Sequence, residues 1–197
     1  MVEFARFSWL KARMKKILTL AALAGLATLA GCASAPAPLV VEAPPPPPPV
    51  ALTASAKAEQ TATAKFGPKT FKPGEFVWSP AAAPGETKVV ISLTRQLAWV
   101  YQGEEVIGIA TVSSGSKGHE SPWGVFPVME KRKVHRSNRY SNAPMPFMHR
   151  LNKWGVALHG GVIPGYPASH GCIRLPIKFA EKLFGVTKVG TLVIVDA

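Results

Sequence analysis

Cys172 lies in the run Ser169-His170-Gly171-Cys172-Ile173-Arg174, and it is the only cysteine left with a free thiol once the amino-terminal segment ending at Cys32 is processed. A lone cysteine in an exported chain has no intrachain disulfide partner, so the thiol reads as a nucleophile, a metal ligand or buried apolar filler. With a pKa near 8.5, a free thiol is only a few per cent thiolate at neutral pH, and an imidazole beside it raises the reactive fraction by taking the proton. His159 stands thirteen residues upstream, and Gly160-Gly161, Pro164-Gly165 and Pro167 lie between to fold the chain back. His170 is two residues from the thiol and would share its face in an extended segment. Asp196 is the sole aspartate in the chain, which argues against a carboxylate orienting the imidazole and leaves a backbone carbonyl, with Gly160 the nearest. Gly171, without a β-carbon, lets its own N–H and that of Cys172 converge on an oxyanion. Arg174 offers a bidentate clamp for a substrate carboxylate.

Two other readings of these residues stand beside the nucleophile. A zinc site built from Cys172, His170 and His159 lacks a fourth ligand, and neither Cys-x-x-Cys nor His-Glu-x-x-His occurs, so no metal or other cofactor is expected. In a non-catalytic wall-binding protein Cys172 would be inert filler and His159 a satisfied core histidine. A papain-like protease is excluded by order, since its cysteine precedes its histidine. His119, His135 and His149 read as surface or loop residues, Trp99, Trp123 and Trp154 as core or sheet packing, and Tyr140 as part of a lid.

The elements that carry this chemistry follow a leader. Lys15 and Lys16 precede a predominantly apolar run of fourteen residues from Ile17 to Ala30, then Gly31-Cys32. As a helix that run reaches roughly 21 Å, short of the roughly 30 Å hydrocarbon core, so residues 1–31 read as a signal peptide, with Met14 an alternative start. Leu29-Ala30-Gly31-Cys32 resembles the bacterial lipobox, which implies cleavage before Cys32 and a diacylglycerol on its thiol. Ala33-Ser34 lacks the aspartate that favours inner-membrane retention, so the expected location is the periplasm-facing envelope, lipid-anchored in the outer membrane. The whole chain has 23 basic and 11 acidic residues, a net +12, and loss of residues 1–31 leaves +8. An exported basic protein meets anionic wall polymers and lipid headgroups, and no basic block interleaved with aromatics marks a nucleic-acid groove.

Residues 32–65 are rich in Ala, Pro and Thr, with six prolines from Pro44 to Pro49, and read as a tether without apolar periodicity. Residues 66–197 are long enough for one domain with its own core. Strands are predicted over 88–93, 96–101, 105–113, 125–129, 154–159 and 191–195, and one helix over 177–184 behind Pro176. The expected fold class is mainly β, a β-rich α+β domain with one or two short helices and mostly antiparallel pairing.

The 169–174 run with His159-Gly160 resembles the signature of the L,D-transpeptidase catalytic domain, the YkuD family. Val112-Ser113-Ser114-Gly115, Ser121-Pro122-Trp123-Gly124-Val125-Phe126 and Met145-Pro146-Phe147 resemble recurring segments of that family in the same order, so the likeness runs from about Lys88 to Ala197. Two departures are a short His159 to Cys172 spacing and Ser121 where threonine is usual. The resemblance implies a β-sandwich domain in which Cys172 is the nucleophile, His159 the base and Gly160 the carbonyl that orients it. It also implies an oxyanion hole from the Gly171 and Cys172 amides, with Ser169, His170 and Arg174 shaping the site. The implied substrate is a peptidoglycan tetrapeptide stem, acylating the thiol with loss of D-alanine. The acyl group then passes to an amine of a second stem or of an envelope protein, or to water in a hydrolytic member of the fold.

Overall fold

The computed structural model describes residues 49–80 and 84–197, all within one compact unit, Glu42–Ala197. The leader, Cys32 and the first part of the tether lie outside the described residues. In chain order the elements are α1 (Pro49–Phe66), β1 (Phe76–Trp78), β2 (Thr87–Ser92), β3 (Leu97–Gln102), β4 (Glu105–Thr111) and β5 (Gly124–Pro127). They continue with β6 (Glu130–Arg132), β7 (Met148–Arg150), β8 (Ala157–Gly160), β9 (Ile173–Leu175), α2 (Ile177–Val186) and β10 (Leu192–Asp196). Six strands form one sheet in the order β1-β4-β3-β2-β10-β5, and four form a second in the order β6-β7-β8-β9. The fold is mainly β, with two sheets and two helices, as the composition of strands and turns predicts. Most pairs are antiparallel, but β10 runs parallel to β2 and β8 parallel to β9.

Alternation along the strands explains the layering, because successive side chains leave a strand on opposite faces. Val89, Ile91, Ala98, Val100, Val193 and Val195 face an inner core with Leu158, Ile173 and Leu175 of the second sheet and Phe179, Ala180 and Leu183 of α2. Their neighbours Val90, Trp99, Tyr101, Val106 and Ile109 face the other way and form a second cluster. The central sheet therefore buries both faces. Pro176 stands at the N-cap of α2, and the helix continues through Gly185 to Val186, two residues past its predicted end. Its last carbonyls are covered from another element: Lys131 Nζ donates to Phe184 O at 2.8 Å and to Thr187 O, placing a cation at the negative end of the helix dipole.

The outer cluster is covered by α1, which corrects the reading of residues 49–65 as spacer. Ala54, Ala58 and Ala62 recur every four residues on one helix face and pack on the outer aromatic and aliphatic side chains. Alanine adds little to hydropathy, so this ridge leaves no apolar periodicity in the sequence. Polar ties reinforce it: Ser55 Oγ donates to Asp196 Oδ2 at 2.6 Å, Glu59 pairs with Arg95, and Lys65 pairs with Glu105 at 2.5 Å.

Candidate active site

The parallel pairing of β8 and β9 sets His159 opposite Arg174 and Leu158 opposite Ile173. Leu158 and Ile173 point into the core, so the residues on the alternate side, His159, Cys172 and Arg174, open together on one cleft of about 860 Å³. Cys172 is half-buried and packs against Met145, Met148 and Ala157, while its Sγ lies 3.8 Å from the Gly155 carbonyl oxygen as donor. Burial raises the thiol pKa above its ordinary value, opposed by the Ala157 backbone and by the charges of Arg174 and Arg150.

His159 is buried, and its Nδ1 lies 2.9 Å from the Gly160 carbonyl oxygen. A carbonyl can only accept, so Nδ1 carries the proton and Nε2 of the neutral ring keeps its lone pair. Burial holds the imidazole pKa below its ordinary value; the Gly160 carbonyl opposes this, and the charges of Arg174 and His135 add to it. Both shifts favour the uncharged forms, a thiol and a neutral imidazole.

The segment that presents Cys172 is a turn, not an extended strand. Gly171 has φ +111°, a conformation that L side chains rarely adopt, and Ser169 Oγ closes the turn by accepting the Gly171 N–H at 3.1 Å and donating to the Cys172 carbonyl. Two expectations change here. The Gly171 N–H is engaged by Ser169, leaving the Cys172 N–H as the turn's other oxyanion candidate, and the Ser169 hydroxyl is committed to the backbone instead of to a ligand. His170 also lines the cleft. It is exposed, stacked on Tyr140 with ring centres 4.5 Å apart and edge-on to His119 at 4.8 Å.

The segments singled out in the sequence form the frame of this turn. Ser113 exchanges two backbone hydrogen bonds with Arg174 at 3.0 and 2.9 Å, Ser114 O accepts from Ala168 and Ser169, and Ser116 N donates to Ser169 O. Ser121 is buried; its hydroxyl accepts the Gly115 N–H and donates to the Gly171 carbonyl, both at 2.9 Å. Only glycine fits at 115, where a β-carbon would sit 1.9 Å from His119 O. Pro146 O accepts the Gly160 N–H at 2.8 Å, which holds the end of β8. Arg174 donates from Nη2 to Ala168 O at 3.0 Å, fastening the preceding loop.

Tyr140 rides on a hairpin closed by the Arg136 to Pro144 bridge and lines the cleft. Two side chains sit elsewhere than expected. Trp154 is 67% exposed at the cleft, in a turn before β8 and outside the predicted strand. His149 is fully buried on β7, its Nε2 2.8 Å from Thr187 Oγ1. Neither carried a sequence signal, since β7 has three residues and buries Met148 and His149 alike. His135 lies in a loop, as expected, and lines the cleft. Among the described residues no group of three or more His, Cys, Asp or Glu side chains is placed to hold a metal ion, and no helix is long and apolar enough to cross a membrane.

Comparison with known proteins identifies the family and the fold. Residues 86–195 match the family model for YkuD, the L,D-transpeptidase catalytic domain, and the chain belongs to that family. Among solved structures it is similar to an L,D-transpeptidase from Mycobacterium smegmatis (22% identity, TM-score 0.53, 57% of this chain and 59% of that one). It is also similar to an L,D-transpeptidase from Mycobacterium tuberculosis H37Rv (20%, 0.53, 56% and 57%) and to the Ldtfm-avibactam carbamoyl enzyme (25%, 0.51, 57% and 49%). The chain thus spans less than two thirds of the length of these relatives. No curated protein sequence matches it.

Proposed function

We propose that the chain is a cysteine-dependent L,D-transpeptidase acting on peptidoglycan tetrapeptide stems. The observation that carries this reading is the fixed tautomer of His159: with Nδ1–H held on Gly160 O, Nε2 is a base on the cleft that Cys172 also lines. Cys172 Sγ attacks the carbonyl carbon between the third residue and the terminal D-alanine, and its proton passes to His159 Nε2. The Cys172 N–H receives the oxyanion. Collapse of the tetrahedral intermediate breaks the C–N bond, His159 returns the proton to the leaving amine, and D-alanine departs from a thioester. An acceptor amine, on another stem or on an envelope protein, then attacks the thioester, gives up a proton through His159 and restores the thiol. Family membership and the shared fold support this chemistry.

The leader motif supports lipidation at Cys32 and an outer-membrane location. The stem peptide, an acceptor protein and the lipid surface are the partners this scheme requires, and no cofactor takes part. The test is intact-mass measurement of the protein with a tetrapeptide stem and, separately, with avibactam, which forms a carbamoyl enzyme with the relative named above. The expected result is a single adduct that Cys172→Ala abolishes. No adduct with either reagent would favour a non-catalytic wall-binding protein, and D-alanine release without amine transfer would favour a hydrolase.

A further inference from the structure

Four cationic side chains line the cleft, Arg139, Arg150, Lys153 and Arg174, and no carboxylate side chain lines it. Arg150 is neutralised by Glu130, its Nε 2.7 Å from Oε2. Arg174 fastens Ala168 and already acts through its charge on the thiol and the imidazole. Arg139 and Lys153 have no carboxylate partner among the described residues. Each is placed by the aromatic ring that follows it in sequence: Arg139 Cζ lies 5.8 Å from the Tyr140 ring centre, and Lys153 Nζ 5.0 Å from that of Trp154.

These two cation–aromatic pairs come from separate segments and meet where Arg139 Nη1 donates to the Trp154 carbonyl at 3.2 Å. The second segment is a turn braced by its own side chain: Asn152 Oδ1 accepts the N–H groups of Trp154 and Val156, both at 3.1 Å. It also touches the thiol, through the Gly155 carbonyl. Two charges without a carboxylate partner among the described residues thus line the cleft that Cys172 also lines, where a bound donor would bring its own charged groups.

We propose that Arg139 and Lys153 form a carboxylate-binding subsite that selects donor stems with a free carboxylate next to the scissile bond. The proposal rests on the thiol-acylation reading above. A charged donor gains charge-assisted hydrogen bonds here. An amidated one would cover two cations with a neutral group and lose that gain. Two groups of the stem share this chemistry, the side-chain carboxylate of the third residue and the α-carboxylate of the terminal D-alanine.

The experiment uses the intact chain and four synthetic tetrapeptides: both carboxylates free, the third residue amidated, the C-terminus amidated, and both amidated. The rate of acyl-enzyme formation on Cys172 gives kcat/KM for each. Blocking the recognised carboxylate should lower kcat/KM about tenfold in the wild type, and the arm that does so identifies the group. Arg139→Gln and Lys153→Gln should bring the ratio toward one, whereas Arg139→Lys, which keeps the charge, should largely preserve it. High salt should shrink the wild-type ratio, and melting curves establish that each variant is folded. Equal rates with all four donors, or a ratio that survives in both Gln variants, would overturn the subsite while leaving the acylation reading standing. Failure of every donor and of avibactam to acylate Cys172 would instead overturn that reading and the subsite with it.

Discussion

The Ser121 hydroxyl donates to the Gly171 carbonyl at 2.9 Å, fifty residues away in sequence and one residue before the thiol. The same oxygen accepts the Gly115 N–H, so one buried side chain ties the nucleophile turn to the loop after β4. Ser121→Ala leaves both groups without a partner and should cost about 1–3 kcal/mol of stability. Because Ser121 touches no reacting atom, kcat for acylation should fall roughly tenfold through a misplaced turn. Ser121→Thr keeps the hydroxyl and should restore most of the rate. Urea unfolding and single-turnover acylation test this, and a threonine variant as slow as alanine would show that the hydroxyl is not what positions the turn.

The shifts of Cys172 and His159 toward their uncharged forms predict a pH profile. Since burial holds the imidazole below its ordinary value of 6.5, the acid limb of kcat/KM should lie below the range of a free histidine. Thiolate absorbance should emerge only above the ordinary thiol range, because burial raises Cys172. His159→Ala should slow acylation by about 10²- to 10⁴-fold. A thiolate signal at neutral pH that disappears in His159→Ala would instead reveal an ion pair at rest.

The residues that share the cleft, Cys172 and His159, and the Gly160 carbonyl beside the imidazole were legible because each lies in a local motif: His159 adjoins Gly160, and Cys172 lies within a six-residue run. The main strands were legible from alternation, as in Val89, Val90 and Ile91. What the sequence hid depends on distance. Nothing local shows that Ser113 pairs with Arg174 or that Ser121 reaches Gly171. Ser169 and His170 both line the cleft, but sequence proximity does not show how they are used: the Ser169 hydroxyl is bonded to the turn's own backbone, and the His170 ring is stacked on Tyr140. Helix α1 was missed because its packing ridge is alanine, and the three-residue strands because they are too short to show a period.

His149 predicts acid sensitivity. The Thr187 hydroxyl donates to Leu183 O, so His149 Nε2 is the donor to Thr187, and Nδ1 is buried without a partner. Burial, with the Lys131 charge second, lowers its pKa to about 4 from 6.5. The unfolded chain therefore takes up this proton first as pH falls. The stability that the neutral ring provides is complete above its unfolded pKa and is lost toward pH 4, by about 3 kcal/mol in all. Urea midpoints between neutral pH and about 5, above most carboxylate titration, should fall more steeply for wild type than for His149→Asn. Parallel slopes would assign the acid sensitivity to other groups.

The last prediction separates the anchoring helix from the chemistry. Asp196 Oδ2 accepts both the N–H and the hydroxyl of Ser55, at 3.2 and 2.6 Å, while Oδ1 has no hydrogen-bond partner. Ser55→Ala removes the shorter bond from a buried carboxylate and should destabilise the docking of α1 by about 1–3 kcal/mol. The thiol and imidazole hang on β8 and β9 of the other sheet, so acylation of Cys172 should keep its wild-type rate. Hydrogen exchange should show the α1 amides opening faster while those of β8 and β9 stay protected. In a double-mutant cycle with Asp196→Ala, the combined loss should be smaller than the sum of the single losses, since removing the carboxylate also removes the group left unsatisfied. Additive losses, or α1 amides that exchange as in the wild type, would show that the alanine ridge alone holds the helix.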